Sequence, residues 1–363
     1  ASAAGLFTRN QVAAAPVKID KKHLKASGGV ARAILVNAGI ANACTGLEGR
    51  ENALACVRRL AGWFKAPAEH ILVASTGVIG RQLPMSRMDK GIDEALSLLG
   101  ESRPGDFAKA ILTTDTRPKE AGMVLDGLDG VVMAGACKGS GMIAPDMATM
   151  LAFVATNAAV SPKALKEALR EAASLTFNRV TIDGDTSTND SLFIMASGVN
   201  GGAAIDKPSG KRFGKFVDGL CVVSAGLARQ LAADGEGATK MVLVKVAGAV
   251  RRRDAEAAAR TVAESPLVKT AMFGNDPNWG RIVAAVGRSA AKVEEGKLSV
   301  CLCGRCLYRD GQPLDFDETE LSGLMKAGEV ELAIDLGLGD AEALVMTCDF
   351  SEEYVKINAE YTT

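Results

Sequence analysis

The chain has 363 residues, 48% of them apolar and 23% charged, a composition that excludes disorder and suffices for one large core or two modest ones. Lys and Arg number 42 against 43 Asp and Glu, a net charge of -1, so no long-range field attracts nucleic acid or an anionic membrane. Aromatic residues at 4% also argue against a base-stacking platform, which leaves a small molecule as the expected partner. Eight cysteines scattered through a long chain fit free thiols in a reducing cytoplasm, and no disulfide is expected. No apolar run approaches the ~20 residues of a membrane-spanning helix, and no charged-then-apolar leader opens the sequence. The chain begins at Ala1 rather than Met, so a preceding segment, including a removed targeting one, stays open.

Short β-branched and aliphatic runs alternate with segments of helical period, the pattern of an α/β protein. In chain order, residues 33–38 read as a strand. Residues 52–65 follow as a helix with Leu54, Val57, Leu60, Ala61 and Phe64 on one face. Strands are expected at 71–75 and 131–135. Ser161-Pro162 is an N-cap followed by proline at the first helical position, opening a helix that runs to about Leu175. Further strands are expected at 221–225, 241–247, 298–303 and 343–348, with an exposed connection at 201–210 and a charged helix start at 250–259. Of 39 glycines, the clusters at 139–141 and 235–237 mark loops where the backbone turns sharply or approaches something closely.

Histidine is nearly absent: His23 and His70 are the two, and neither supports a Ser-His-Asp triad or an imidazole metal site. Cys303-Gly-Arg-Cys306 has the spacing of half a zinc knuckle, but no second pair stands at matching distance. Residues 183–190 alternate oxygen side chains like a calcium loop. Thr188 replaces its glycine and Ile194 its bidentate glutamate, so a polar turn remains. Gly139-Ser-Gly141-Met-Ile-Ala144 matches a loose dinucleotide fingerprint. Pro145 interrupts the helix that should begin there, and no acid lies ~20 positions on to hold a ribose. Residues 138–151 stand out as a whole, yet chemistry alone is equally satisfied by a loop running into a buried strand.

Taken together, the motifs resemble the glutamate N-acetyltransferases (ornithine acetyltransferases) of arginine biosynthesis over nearly the whole chain. They are Ala-Ala-Gly-Leu-Phe-Thr near the start, Asn37–Gly46, Ala74–Gly80, Thr113–Thr116, Lys138–Thr149, Thr181–Asp190, Asp234–Lys240, Phe273–Arg281 and Asn358–Thr363. Relatives usually carry more sequence before the first of these. The resemblance implies an α/β fold: a layered αββα core of the N-terminal-nucleophile type with a smaller α/β C-terminal domain at about 242–350. It also implies self-cleavage between Ala148 and Thr149, giving an α chain 1–148 and a β chain 149–363 that associate as α2β2. Thr149 would be the nucleophile, and its freed α-amine the base. Such an amine has a reference pKa near 8, far closer to neutrality than a lysine, so it replaces histidine.

By the same resemblance Thr76 and Gly77 form the oxyanion hole, and the substrate contacts fall on Thr113, Lys138, Thr149, Glu236, Asn358 and Thr363. The implied reaction moves acetyl from N-acetylornithine to glutamate with no metal and no bound cofactor. Whether acetyl-CoA is a second donor depends on pocket shape and on no motif. The competing readings are an amidase or aminopeptidase of the same nucleophile type, an uncleaved amino-acid-binding protein, and a nicotinamide oxidoreductase.

Overall fold

The computed structural model describes residues 1–101, 103, 105–128, 130–144 and 150–360. Ala148, Thr149 and Thr363 therefore lie outside the described residues. The chain forms two compact units. One holds residues 1–178 and 185–231, the other 179–184 and the chain from Ala232 to the C-terminal helix.

The first unit contains, in chain order, β1 (Ser2–Phe7), α1 (Ala15–Ala26), β2 (Ala33–Asn37), α2 (Gly46–Phe64), β3 (Ile71–Ser75), α3 (Met85–Ser97), α4 (Asp106–Ala110), β4 (Lys119–Val124), β5 (Val132–Lys138), β6 (Leu151–Thr156), α5 (Pro162–Leu175), β7 (Ser191–Ala196) and most of α6 (Lys211–Ala233). Five strands make a mixed sheet in the order β1-β7-β6-β5-β4, and β2 and β3 form a separate parallel pair. Alternation along β3 gives that pair two working faces. Leu72 and Ala74 pack with Ala3, Leu151 and Phe193 of the large sheet, whereas Ile71 and Val73 pack with Ile19 of α1 and Val57 and Leu60 of α2. On the far side of the large sheet, Cys137 of β5 lies 3.8 Å from the Leu227 carbonyl of α6, and α5 packs on β1 and β7. The order helix, sheet, sheet, helix is the αββα layering that the resemblance implies.

Two sequence expectations fail here. Residues 221–225 are not a strand; they lie in the middle of α6. The β-branched pair Val222-Val223 is short, while Phe216, Leu220, Val223, Leu227 and Leu231, all buried, keep a helical period over a much longer stretch. This 23-residue helix is also the one described helix long and apolar enough to cross a bilayer by length and composition, although no uninterrupted apolar run announces it. Helix α2 begins at Gly46, six residues before the expected start at residue 52.

The second unit contains β8 (Met241–Ala249), α7 (Arg252–Ala263), α8 (Pro266–Gly274), α9 (Trp279–Gly287), β9 (Ser299–Leu302), β10 (Arg305–Arg309), β11 (Gln312–Pro313), α10 (Glu318–Leu324), β12 (Glu329–Asp335), β13 (Ala341–Cys348) and α11 (Glu352–Glu360). Its sheet runs β11-β10-β9-β12-β8-β13. Val242, Val244 and Val246 of β8 share a core with Ala255, Ala259 and Val262 of α7 and with Ile282 and Val286 of α9. The Phe273–Arg281 motif is explained by helix ends. Asn275 takes a left-handed conformation after α8 and accepts a bond from Lys240 Nζ, and Asn278 caps α9 by accepting from the Arg281 N–H.

The expectation of free thiols throughout is also corrected, because Cys301 and Cys306 form a disulfide. They face each other across the β9–β10 hairpin, whose two-residue turn, Cys303-Gly304, has positive φ at both positions, the geometry a tight hairpin favours. Pairing therefore follows strand register and not the Cys303–Cys306 spacing.

Candidate active site

Register fixes the frame of the site. Lys138, Leu151, Ser191 and Phe7 lie in one row across β5, β6, β7 and β1, so the segment that ends at Leu151 enters the sheet beside Lys138. The connection 75–78 follows β3, in the layer packed on this sheet.

Thr76 and Gly77 form a turn that permits no side chain at its second position. Gly77 has φ of 122°, and a Cβ there would sit 2.2 Å from the Gly39 carbonyl carbon. The Thr76 N–H donates to the Asn37 carbonyl at 3.0 Å and the Val78 N–H to that of Gly39 at 3.1 Å. Among the described residues the Gly77 N–H has no partner. Two amide side chains brace this turn. Asn37 accepts from Ser75 Oγ at 2.6 Å, and Asn189 donates to the carbonyls of Ala41 and Ser75 at 2.6 and 2.8 Å. The 183–190 segment is thus a polar brace, the use left open once the calcium reading failed.

Lys138 Nζ donates to Thr76 Oγ1 at 3.1 Å, both side chains being buried. A hydroxyl that accepts from an ammonium keeps its own proton to give, and polarisation makes it a stronger donor. Thr76 O–H and Gly77 N–H are therefore adjacent, unspent donors at one turn.

Asp115 organises the opposite side. Its carboxylate accepts from Lys119 Nζ and from the Gly139 N–H, each at 2.6 Å, and from the Thr113 N–H at 3.2 Å. Lys138 Nζ stands 4.0 Å away. Burial alone would raise the Asp115 pKa, but the Lys138 and Lys119 charges and the bonds from Lys119 and Gly139 outweigh it and hold the carboxyl below the ordinary range. The described part of this cluster thus sets one fully buried carboxylate beside two lysines. Thr114 and Ser140 join hydroxyls at 2.7 Å, tying the 113–116 loop to the glycine loop 139–141. Of the predicted contacts, Thr113 thus reaches the cluster through its backbone. Asp115 and Asn189 have roles that sequence reasoning missed. Both lie inside quoted motifs, Thr113–Thr116 and Thr181–Asp190, which was the available signal.

In the second unit, Glu236 and Asn358 meet. Asn358 Nδ2 donates to Glu236 at 2.9 Å and to the Tyr354 carbonyl at 3.0 Å, so the 234–240 turn is bonded to α11. Gly237 has positive φ, and a Cβ there would lie 2.4 Å from the Tyr354 nitrogen, which accounts for glycine in that turn. Glu236 is buried and Asn358 exposed.

Fold and candidate site combine an α/β architecture of αββα layering with a hydroxyl, an amide N–H and a lysine–aspartate cluster gathered at one sheet end. The sequence pattern of the ArgJ family matches residues 1–363. The chain is 46% identical over 364 residues to the arginine biosynthesis bifunctional protein ArgJ of Nitratidesulfovibrio vulgaris, covering 99% of this chain and 91% of that one. It is also 46% identical over 364 residues to the protein of the same name from Caulobacter vibrioides, covering 99% and 90%. A crystal structure of arginine biosynthesis bifunctional protein ArgJ from Bacillus halodurans superposes with a TM-score of 0.56 at 37% identity, covering 58% of this chain and 98% of that one. The chain belongs to the ArgJ family, and it is an acyltransferase of arginine biosynthesis.

Proposed function

We propose that Thr149 carries an acetyl group from N2-acetyl-L-ornithine to L-glutamate. The Thr149 hydroxyl oxygen attacks the acetyl carbonyl carbon while its proton passes to the Thr149 α-amine. The negative charge that develops on the carbonyl oxygen is met by Thr76 O–H and Gly77 N–H. Collapse breaks the carbon–nitrogen bond, and the α-ammonium returns the proton to the leaving amine of ornithine. The neutral α-amine of glutamate then attacks the ester and restores the threonine, releasing N-acetyl-L-glutamate.

The α-amine arises earlier, by the same chemistry turned on the chain. Thr149 Oγ attacks the Ala148 carbonyl, the peptide nitrogen leaves as an amine, and water hydrolyses the ester to an Ala148 carboxylate. The products are chains 1–148 and 149–363, which we read as assembling into α2β2 in the cytoplasm. Thr113, Lys138, Glu236, Asn358 and Thr363 are read as substrate contacts, because an amino acid brings a carboxylate and ammonium groups that need opposite charges. Acetyl-CoA is a second candidate donor to the same threonine.

The observation that most supports this reading is the Lys138-to-Thr76 bond beside the unpartnered Gly77 N–H. These are two adjacent donors, the first polarised by Lys138, placed without a histidine near the sheet end where β6 begins. The test is Thr149→Ala, expected to give a single uncut chain without turnover; an active variant overturns the assignment. An amidase of the same nucleophile type would release acetate at a rate that ignores added glutamate.

A further inference from the structure

Strand β3 has one neighbouring strand, β2, and one free edge. The Arg32 N–H donates to the His70 carbonyl at 2.7 Å and the Thr76 N–H to the Asn37 carbonyl at 3.0 Å. His70 and Thr76 flank β3, so its even-numbered residues turn their backbone toward β2 in this parallel register. Ile71, Val73 and Ser75 turn theirs to the free edge, where a buried backbone group needs another partner. Each of the three meets a side chain there. His23 Nδ1 lies 2.8 Å from the Ile71 carbonyl, Asp20 accepts from the Val73 N–H at 2.9 Å, and Asn189 donates to the Ser75 carbonyl at 2.8 Å. Asp20 and His23 stand three residues apart on α1, so one face of that helix replaces part of a third strand.

Asp20 is an unexpected residue for this place. It lies in a helix interior, where aspartate competes with the backbone and weakens the helix. It is fully buried, at the contact where Ile19 of α1 packs with Ile71 and Val73. Oδ1 takes the Val73 N–H, while Oδ2 has no partner among the described residues. Burial pushes its carboxyl well above the ordinary range, against the smaller effect of the Val73 bond, so the uncharged acid is the form that fits here. An aliphatic side chain would suit the apolar contact better, but it would leave the Val73 N–H without an acceptor. The helix is also tied where it begins. The Ala14 N–H donates to the Thr188 carbonyl at 2.9 Å and the Ala15 N–H to the Asn42 carbonyl at 3.3 Å. Thus α1 is bonded at its start to the segments that brace the Thr76-Gly77 turn, and at its middle to the strand that leads into it.

We propose that Asp20 is a positioning residue for acyl transfer: by holding the Val73 N–H it sets where β3 ends, and with that the aim of the Thr76 hydroxyl and the Gly77 N–H. His23 supports the same strand two residues earlier. The inference rests on the reading of Thr76 and Gly77 as oxyanion donors.

The test is steady-state kinetics of the purified protein carrying Asp20→Leu, Asp20→Asn or His23→Leu, each alone and combined with Thr76→Val, beside thermal unfolding of each preparation. Asp20→Leu removes the acceptor and should lower kcat about tenfold while KM stays within about twofold. Asp20→Asn keeps an uncharged acceptor and should bring kcat back to within about threefold of wild type. In the Thr76→Val background the hydroxyl is already gone, so Asp20→Leu should cost less than about threefold more. His23→Leu, at a half-buried position, should lose about threefold in kcat with the same coupling to Thr76→Val. It decides the matter together with Asp20→Asn should Asp20→Leu fail to fold. A loss confined to stability or to KM, equal losses in both backgrounds, or an asparagine variant as slow as the leucine one overturns the proposal and leaves the oxyanion reading standing. Thr76→Val with wild-type kcat overturns that reading, and this inference with it.

Discussion

Replacing Thr76 with valine is the sharpest perturbation of the proposed oxyanion hole. Valine keeps the shape of threonine and removes the hydroxyl alone, at a side chain that is 9% exposed and whose described side-chain partner is Lys138 at 3.1 Å. Losing one preorganised donor typically lowers kcat by about 10²–10³, or roughly 3–4 kcal/mol of transition-state stabilisation. A second cost falls on stability: Lys138 loses one acceptor, worth about 1–3 kcal/mol if it finds no other, but Asp115 stands 4.0 Å away to take up part of it. Thr76→Val should therefore fold, melt a few degrees lower, and lose its activity in kcat more than in KM, because the donor acts on charge that exists in the transition state. The assay is ornithine release from N-acetylornithine with saturating glutamate, beside thermal unfolding of the same preparation. A variant that retains activity within about threefold of wild type would refute the assignment of Thr76.

Gly77→Ala should destabilise the first unit on the order of 3 kcal/mol, since the new Cβ meets the Gly39 backbone at a positive φ; an unshifted melting temperature would contradict this. For Asp115 the folded pKa is depressed, so its contribution to stability is present above the unfolded pKa and is lost as pH falls through the folded value. Urea unfolding from pH 5 downward should show that acid loss in wild type and less of it in Asp115→Asn, which should also be less stable at pH 7; parallel pH curves would remove Asp115 from the account. Thiol titration of the unreduced, denatured chain should find six reactive cysteines, the six outside the Cys301–Cys306 pair. A count of eight would restore the original expectation. Glu236→Gln and Asn358→Ala should each raise KM more than they lower kcat if both hold substrate, and an unchanged KM would reduce their bond to a tie between the 234–240 turn and α11.

The α/β class and several elements were legible because each rests on a local signal: the Ser161-Pro162 cap on helix α5, the apolar stripe of α2, the β-branched run of β3. What escaped depended on partners distant in sequence. Nothing local distinguishes 221–225 from a strand until the period from Phe216 to Leu231 is followed across the whole of α6. The disulfide is a product of register, visible only once Cys301 and Cys306 face each other. At the site, the turn at Thr76-Gly77 came from family resemblance, and its physical reason is the contact of Gly77 with Gly39, 38 residues away in the chain. Asp115 could not be singled out from Thr113, Thr114 and Thr116 by spacing. Its role follows from two lysines, one of them in the next strand and one at the end of the strand after it.

In the proposed chemistry cleavage beside a hydroxyl creates the amine that activates it, and intact mass spectrometry of the purified protein reads this directly. Two polypeptides are expected, the second beginning at Thr149. A protein that turns over N-acetylornithine while remaining one uncut chain, or whose second polypeptide begins at any other residue, would contradict it.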